Sequence, residues 1–123
     1  MYVLCRATEY APHGTRVTVC TVEEEYVNAF ARGVAQQGMH VFNPDDGSLV
    51  WPTAIAVDSQ WNVYTADEWL NRISIFNQSG DCVGKWGTLG DGDGEFNRPS
   101  GLAFDKEDNL YLVDGANHRV QKF

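Results

Sequence analysis

The sequence is poor in positive charge. Nine Lys and Arg stand against 17 Asp and Glu over 123 residues, a net charge of −8, and the first 50 residues contain no Lys. A surface that binds a phosphate backbone needs clustered cations, so this balance counts against nucleic acid as a partner. Cysteine is scarce too: Cys5, Cys20 and Cys82 are odd in number and fall at no framework spacing. They signal no disulfide scaffold and favour a reducing, cytoplasmic compartment, with Cys20 and Cys82 acting as small apolar strand residues. There is no secretory leader and no apolar run long enough to span a membrane. Cys-x-x-Cys, His-x-x-x-His and Gly-x-Ser-x-Gly are all missing, as are a phosphate loop and a dinucleotide fingerprint, and His13, His40 and His118 are isolated. No local zinc site, nucleophile elbow or nucleotide cradle is therefore signalled. Ser48, Ser59, Ser79 and Ser100 sit beside turn residues, where hydroxyls bond backbone.

What the sequence does contain is a copy of itself. Pro52-Thr-Ala-Ile-Ala-Val-Asp58 aligns with Pro99-Ser-Gly-Leu-Ala-Phe-Asp105, 47 residues on, and the register holds without a gap to Phe76 and Phe123. Asn62 falls on Asn109, Tyr64 on Tyr111, Asp67 on Asp114 and Arg72 on Arg119. Eight of the 25 aligned positions are identical and several others exchange apolar for apolar. A period of this length means one supersecondary unit stacked on copies of itself.

Each unit reads as short strands separated by turns. Thr53 to Val57 and Gly101 to Phe104 are short apolar first strands. Asp58-Ser-Gln-Trp-Asn62 and Asp105-Lys-Glu-Asp-Asn109 are tight hairpin turns, because Asp and Asn bond their own backbone and tolerate left-handed conformations. Val63 to Ala66 and Leu110 to Val113 form second strands, then Arg72-Ile-Ser-Ile-Phe76 and Arg119-Val-Gln-Lys-Phe123 form third strands. The third strands alternate apolar with polar, which predicts one wetter face. After the turn Asn77-Gln-Ser-Gly80, Asp81 to Trp86 forms a fourth strand. The inner strands are nearly continuous apolar runs, implying burial on both faces. Four antiparallel strands covered on both faces make the blade of a β-propeller.

These residues also carry a family resemblance. Gly92-Asp-Gly-Glu-Phe-Asn-Arg-Pro-Ser-Gly-Leu-Ala-Phe-Asp105, Asn109-Leu-Tyr-Leu-Val-Asp114 and Asn117-His-Arg-Val-Gln-Lys-Phe123 together resemble the NHL repeat. The match is close over Gly92 to Phe123 and fair over Trp51 to Gly87, where Asn71 stands in place of His118. The resemblance implies a six-bladed β-propeller. Nearer the start, Arg16-Val-Thr-Val-Cys20 resembles the third strand, Tyr2 to Cys5 the second, and Glu23 to Phe30 an outer strand. Arg16 lies 56 residues before Arg72, which places an insertion of roughly nine residues in a long inter-blade loop at Ala31 to Leu49, with Gly33, Gly38, Pro44 and Asp45-Asp-Gly47.

The expected fold is therefore all-β: an open arc of about three four-stranded antiparallel NHL-type blades, two of them incomplete. Residues 1–50 form a partial blade (strands two to four) and the long loop, 51–97 a complete blade and its connection, and 98–123 a partial blade of strands one to three. Six blades of 47 residues exceed a chain of 123. The arc leaves apolar blade faces open, to be covered by further blades of a longer parent chain or by self-association.

Candidate chemistry is sparse. Asp67 with Arg72, and Asp114 with Arg119, face each other across a hairpin; recurrence in both copies favours ion pairs that staple the loop over metal ligands at a channel mouth. Gly90-Asp-Gly-Asp-Gly-Glu95 looks like a calcium loop but lacks a terminal Glu at EF-hand spacing, and the resemblance explains it as the connection between blades. His118 is expected to pack at its loop as a repeat residue. Trp69 is different: Glu68-Trp-Leu-Asn71 replaces Gly115-Ala-Asn-His118, and a loop has no turn-forming use for Trp and Leu. Trp69 either packs on the neighbouring blade or belongs to a binding face. Trp86 matches an outer-strand position, and Trp51 precedes Pro52 where Arg98 precedes Pro99, on the side of the Trp69 loop.

The leading expectation is a rigid scaffold binding a protein or peptide through Glu68, Trp69, Asn71, Arg98, Asn117 and His118, with no cofactor, no catalytic residue and no membrane. Two alternatives stand beside it. The resemblance also covers lyases acting on peptidyl-hydroxyglycines, with zinc held in the propeller channel by His residues. That would make the chain part of a metal-dependent lyase or hydrolase, using zinc or calcium. Resemblance to tripartite-motif NHL proteins would allow RNA binding, which the acidic charge disfavours.

Overall fold

The computed structural model describes residues 1–5, 15–23, 25–30 and 49–123. The expected inter-blade loop up to Ser48, together with His13 and His40, lies outside them. The described residues form three separate antiparallel sheets. The first is β1 (Tyr2–Cys5), β2 (Arg16–Cys20) and β3 (Tyr26–Phe30), in that order. The second is β4 (Pro52–Val57), β5 (Val63–Asp67), β6 (Arg72–Phe76) and β7 (Cys82–Trp86). The third is β8 (Pro99–Phe104), β9 (Leu110–Asp114) and β10 (Arg119–Lys122), with a 3-10 turn at Gly115–Asn117. No α-helix occurs among the described residues, so none is long and apolar enough to cross a membrane. The fold is all-β.

Within each sheet consecutive strands pair antiparallel, and in the second and third sheets short turns join them and leave no room for a crossover. The Asp-x-x-x-Asn turns close as their composition predicts. Asp58 Oδ1 accepts the N–H groups of Gln60 and Asn62, both at 2.9 Å, while Asn62 Nδ2 donates to Asp58 Oδ2. Asp105 repeats this with Glu107 and Asn109. The fourth residue of each turn is left-handed, Trp61 at φ 66° and Asp108 at φ 59°. Neighbouring turns are tied together: Ser59 N–H donates to Asp108 Oδ1 at 3.1 Å, and its hydroxyl contacts Oδ2.

Two core layers hold the sheets face to face. Val17 and Phe30 of the first sheet meet Val63 and Phe76 of the second, with Leu49. On the other side Ala66 and Ile73 meet Leu112 of the third sheet, with Phe96 from the connecting segment. Each of these side chains larger than Ala66, removed from water, stabilises the fold by roughly 1.5–3 kcal/mol. Alternation along β5 and β6 sends Val63 and Phe76 into one layer and Ala66 and Ile73 into the other, so the middle sheet is sandwiched. This corrects the expected wetter face of the third strands. In β6, Arg72, Ile73, Ser74 and Phe76 are all buried, because a sheet covers each side. The other such strand, β10, at the edge of the third sheet, does alternate between half-buried and exposed.

Candidate functional site

The antiparallel register decides what meets at each end of the sheets. Pro52 pairs with Asp67, Ile73 with Trp86 and Pro99 with Asp114. The entry to β4, the 68–71 loop, the 87–98 segment and the 115–118 turn therefore share one end. The turns at 58–62, 77–81 and 105–109 occupy the opposite end.

The loop end is organised by two buried aspartates. Asp67, fully buried, accepts four backbone N–H groups: Val50 (2.7 Å) and Trp51 (3.0 Å) on Oδ2, Trp69 and Leu70 (both 3.0 Å) on Oδ1. One carboxylate thus pins both the entry to β4 and the β5–β6 loop. Asp67 was expected to serve mainly as a cross-strand partner of Arg72; the two are register partners, but the carboxylate is occupied by backbone. Asp114, also fully buried, keeps one of these bonds, from Asn97 N–H at 2.7 Å, and otherwise accepts side chains: Asn117 Nδ2 and Arg119 Nε at 2.9 Å and Gln121 Nε2 at 3.3 Å. The Asp114–Arg119 ion pair forms as the repeat suggested. Burial pushes the Asp114 carboxyl up, but bonds from Asn97, Asn117 and Arg119, with the Arg119 charge, outweigh it and hold the carboxyl below its ordinary range.

The same three side chains clamp the glycine-rich connection. Asn117 Nδ2 donates to Gly90 O at 2.8 Å, Arg119 Nη2 to Gly92 O at 2.7 Å and Glu95 O at 3.0 Å, and Gln121 Nε2 to Glu95 O at 2.8 Å. Glu95 itself caps Gly92 N–H at 2.9 Å. The carbonyls a cation would use in this loop are engaged by the third sheet. Among the described residues, no three His, Cys, Asp or Glu side chains gather as a metal-binding group.

Of the six expected site residues, three are brought together. Arg98 Nε donates to Glu68 Oε1 at 2.8 Å, with Nη2 in contact with the same oxygen, and Arg98 N–H donates to Asn71 Oδ1 at 2.9 Å. Arg98 (φ 56°) and Asn71 (φ 50°) are both left-handed, so this strap between the second and third sheets is held in a specialised backbone conformation. Trp69 lies in the same loop with 59% of its surface exposed. Asn117 is half-buried and occupied by Asp114 and Gly90. His118 occupies the left-handed cap after the 3-10 turn (φ 54°, ψ 40°), the counterpart of Asn71, and is exposed rather than packed.

Trp51 joins Trp69 here, 42% exposed, with its carbonyl accepting Glu68 N–H at 2.9 Å. Its backbone and that of Trp69 hang from the same carboxylate, a link invisible in sequence because the donors are main-chain groups. The available signal was that the repeat places Arg98 and Ala116 at these positions. The other exposed indole, Trp61, lies at the opposite end.

Comparison with known proteins agrees with this geometry. The NHL repeat family matches residues 96–123. No curated protein matches the chain. Among solved structures, an auxiliary nutrient binding protein from Bacteroides thetaiotaomicron is similar at TM-score 0.65 and 17% identity, covering 98% of this chain and 34% of that one. Virginiamycin B lyase from Staphylococcus aureus is similar at TM-score 0.53 and 13% identity, over 98% of this chain and 39% of the lyase. A catalytically inactive form of that lyase with quinupristin gives 0.52 and 9%, over 99% and 40%. The chain thus spans 34 to 40% of the length of these structures, and at such identities the likeness is one of fold. Residues 96–123 match the NHL repeat, in a chain whose fold is of the β-propeller type.

Proposed function

We propose that the chain is a rigid propeller scaffold whose loop end binds a protein or peptide partner. The observation that carries this reading is the pair Trp51 and Trp69: two exposed indoles, their backbones pinned by one buried carboxylate, at positions where the repeat has Arg98 and Ala116. Exposed aromatics held by a stiff frame lose little freedom on binding and make good anchors. Glu68, Asn71 and Arg98 supply polar groups around them, with His118 and Asn117 at the edge toward the third sheet. The backbone here is held by the Asp67 bonds and by the contacts of Arg98 with Glu68 and Asn71, which favours a face formed before a partner arrives.

The test is a selection of random peptides on the immobilised chain, followed by mapping of the best binders by NMR. Shifts concentrated on the Trp51 and Trp69 indole N–H groups and on Glu68, Asn71 and Arg98 are the expected result. Shifts confined to the turns at 58–62 and 105–109 contradict the reading.

A further inference from the structure

The loop that carries Trp69 stands beside a second loop, and that one is acidic. Both ends of the 87–98 connection meet Asn71, two residues from Trp69. The Asn71 carbonyl lies 3.0 Å from where a Cβ on Gly87 would stand, and Asn71 Oδ1 accepts Arg98 N–H. Inside the connection Phe96 N–H donates to Thr88 O at 2.8 Å and Gly90 N–H to Phe96 O at 3.1 Å. Residues 91–95 are thereby closed into a loop, whose backbone Arg119 and Gln121 fasten to the third sheet. This held loop presents Asp91 and Asp93, both exposed.

The charges of the loop end do not balance. Among the described residues of its four segments, Glu68, Asp91, Asp93 and Glu95 stand against one cation, Arg98. Arg98 is paired with Glu68, and Arg119, just inside the third sheet, with Asp114. The surplus is negative and its exposed part is Asp91 and Asp93. The indoles of Trp51 and Trp69 ask for the same kind of partner. The face of an indole is negative through its ring quadrupole and is the best aromatic platform for a Lys or Arg cation. The aliphatic stem of either side chain also covers apolar ring surface.

We infer that the segment recognised by the loop end is basic. One Lys or Arg lies on the exposed indoles, and a further cation along the same segment reaches the Asp91–Asp93 loop. The inference rests on the reading of this end as a protein- or peptide-binding face and names the chemistry of the partner. Glu68 neutralises Arg98, which would otherwise repel such a segment. An acidic segment would meet Asp91 and Asp93 as like charges, so the same loop that attracts one class of partner rejects the other.

The probe is a random peptide library selected on the intact chain, with binders mapped through the Trp51 and Trp69 indole N–H signals. Peptides that shift these signals should be enriched in Lys and Arg. Asp91→Asn and Asp93→Asn made together should weaken such a peptide at least about threefold. Both residues are exposed, so the melting temperature should not change. Raising NaCl from about 0.05 M to about 0.5 M should weaken the same peptide at least about fivefold, because exposed charges are screened. Peptides that shift the indoles but carry no excess of Lys and Arg would overturn the inference and leave the peptide-binding face standing. Basic peptides whose affinity ignores the double substitution would do the same. Failure of every peptide to reach either indole would overturn both.

Discussion

At the scale of single residues, the loop end depends on carboxylates that never reach the surface. Asp114 carries a depressed pKa in the folded chain, against an ordinary value of 3.8. A depressed carboxyl contributes stability that is fully present above its unfolded value and lost as pH falls through the folded one. Urea titrations between pH 6 and pH 2 should therefore show stability falling below about pH 4. The Asp114→Asn variant should show less of that fall and lower stability at neutral pH. Asp105, whose carboxyl is also lowered by its turn bonds although its own desolvation opposes this, supplies part of the slope that remains. Trp61 makes a second case. It holds φ 66° in an exposed turn, where an L side chain other than Asn or Asp is disfavoured. Trp61→Asn should raise thermal stability by about 0.5–1 kcal/mol, read from melting with and without the substitution. Such effects were only partly legible in sequence. The Asp-x-x-x-Asn turns announced themselves because both partners are side chains in one short stretch. Asp67 did not, because its four partners are main-chain N–H groups from two separate segments.

At the scale of elements, the 87–98 connection is shaped from outside. Phe96, fully buried, docks between the second and third sheets, and Gly87 (φ 101°) lets it in: an added Cβ would lie 2.3 Å from the Phe96 ring. Arg119 fastens the same segment through Gly92 and Glu95 while neutralising Asp114. Arg119→Ala should cost about 2–4 kcal/mol, since it leaves a buried carboxylate short of its partner. Native-state hydrogen exchange should show the Phe96 amide, which donates to Thr88 O, losing protection more than the Ile73 amide. If both lose protection equally, the segment unfolds only with the whole chain. Strand identities were legible here because the 47-residue period aligns β4, β5 and β6 with β8, β9 and β10. The burial of β6 on both faces was not. Ser74 reads as a solvent residue, yet its side is covered by the first sheet, which the alternation within one strand cannot report.

At the scale of the molecule, two packed layers join three sheets into one frame. Its loop end carries two exposed aromatics, Trp51 and Trp69. The sequence made the choice visible without deciding it: Trp69 as packing or as anchor. The structure leaves 59% of it exposed and places exposed Trp51 on the same carboxylate. Cys5 shows how far the frame extends. Paired with Arg16, it takes the position that Asp67 and Asp114 hold in the other sheets, so no carboxylate stands at that position of the first sheet. The measurement that tests the account most directly compares Trp69→Ala with the unaltered chain, both for affinity toward a selected peptide and for melting temperature. The account predicts binding weaker by at least ~1 kcal/mol with unchanged melting, as an anchor requires. Unchanged affinity with a lowered melting temperature would contradict it and make Trp69 a packing residue.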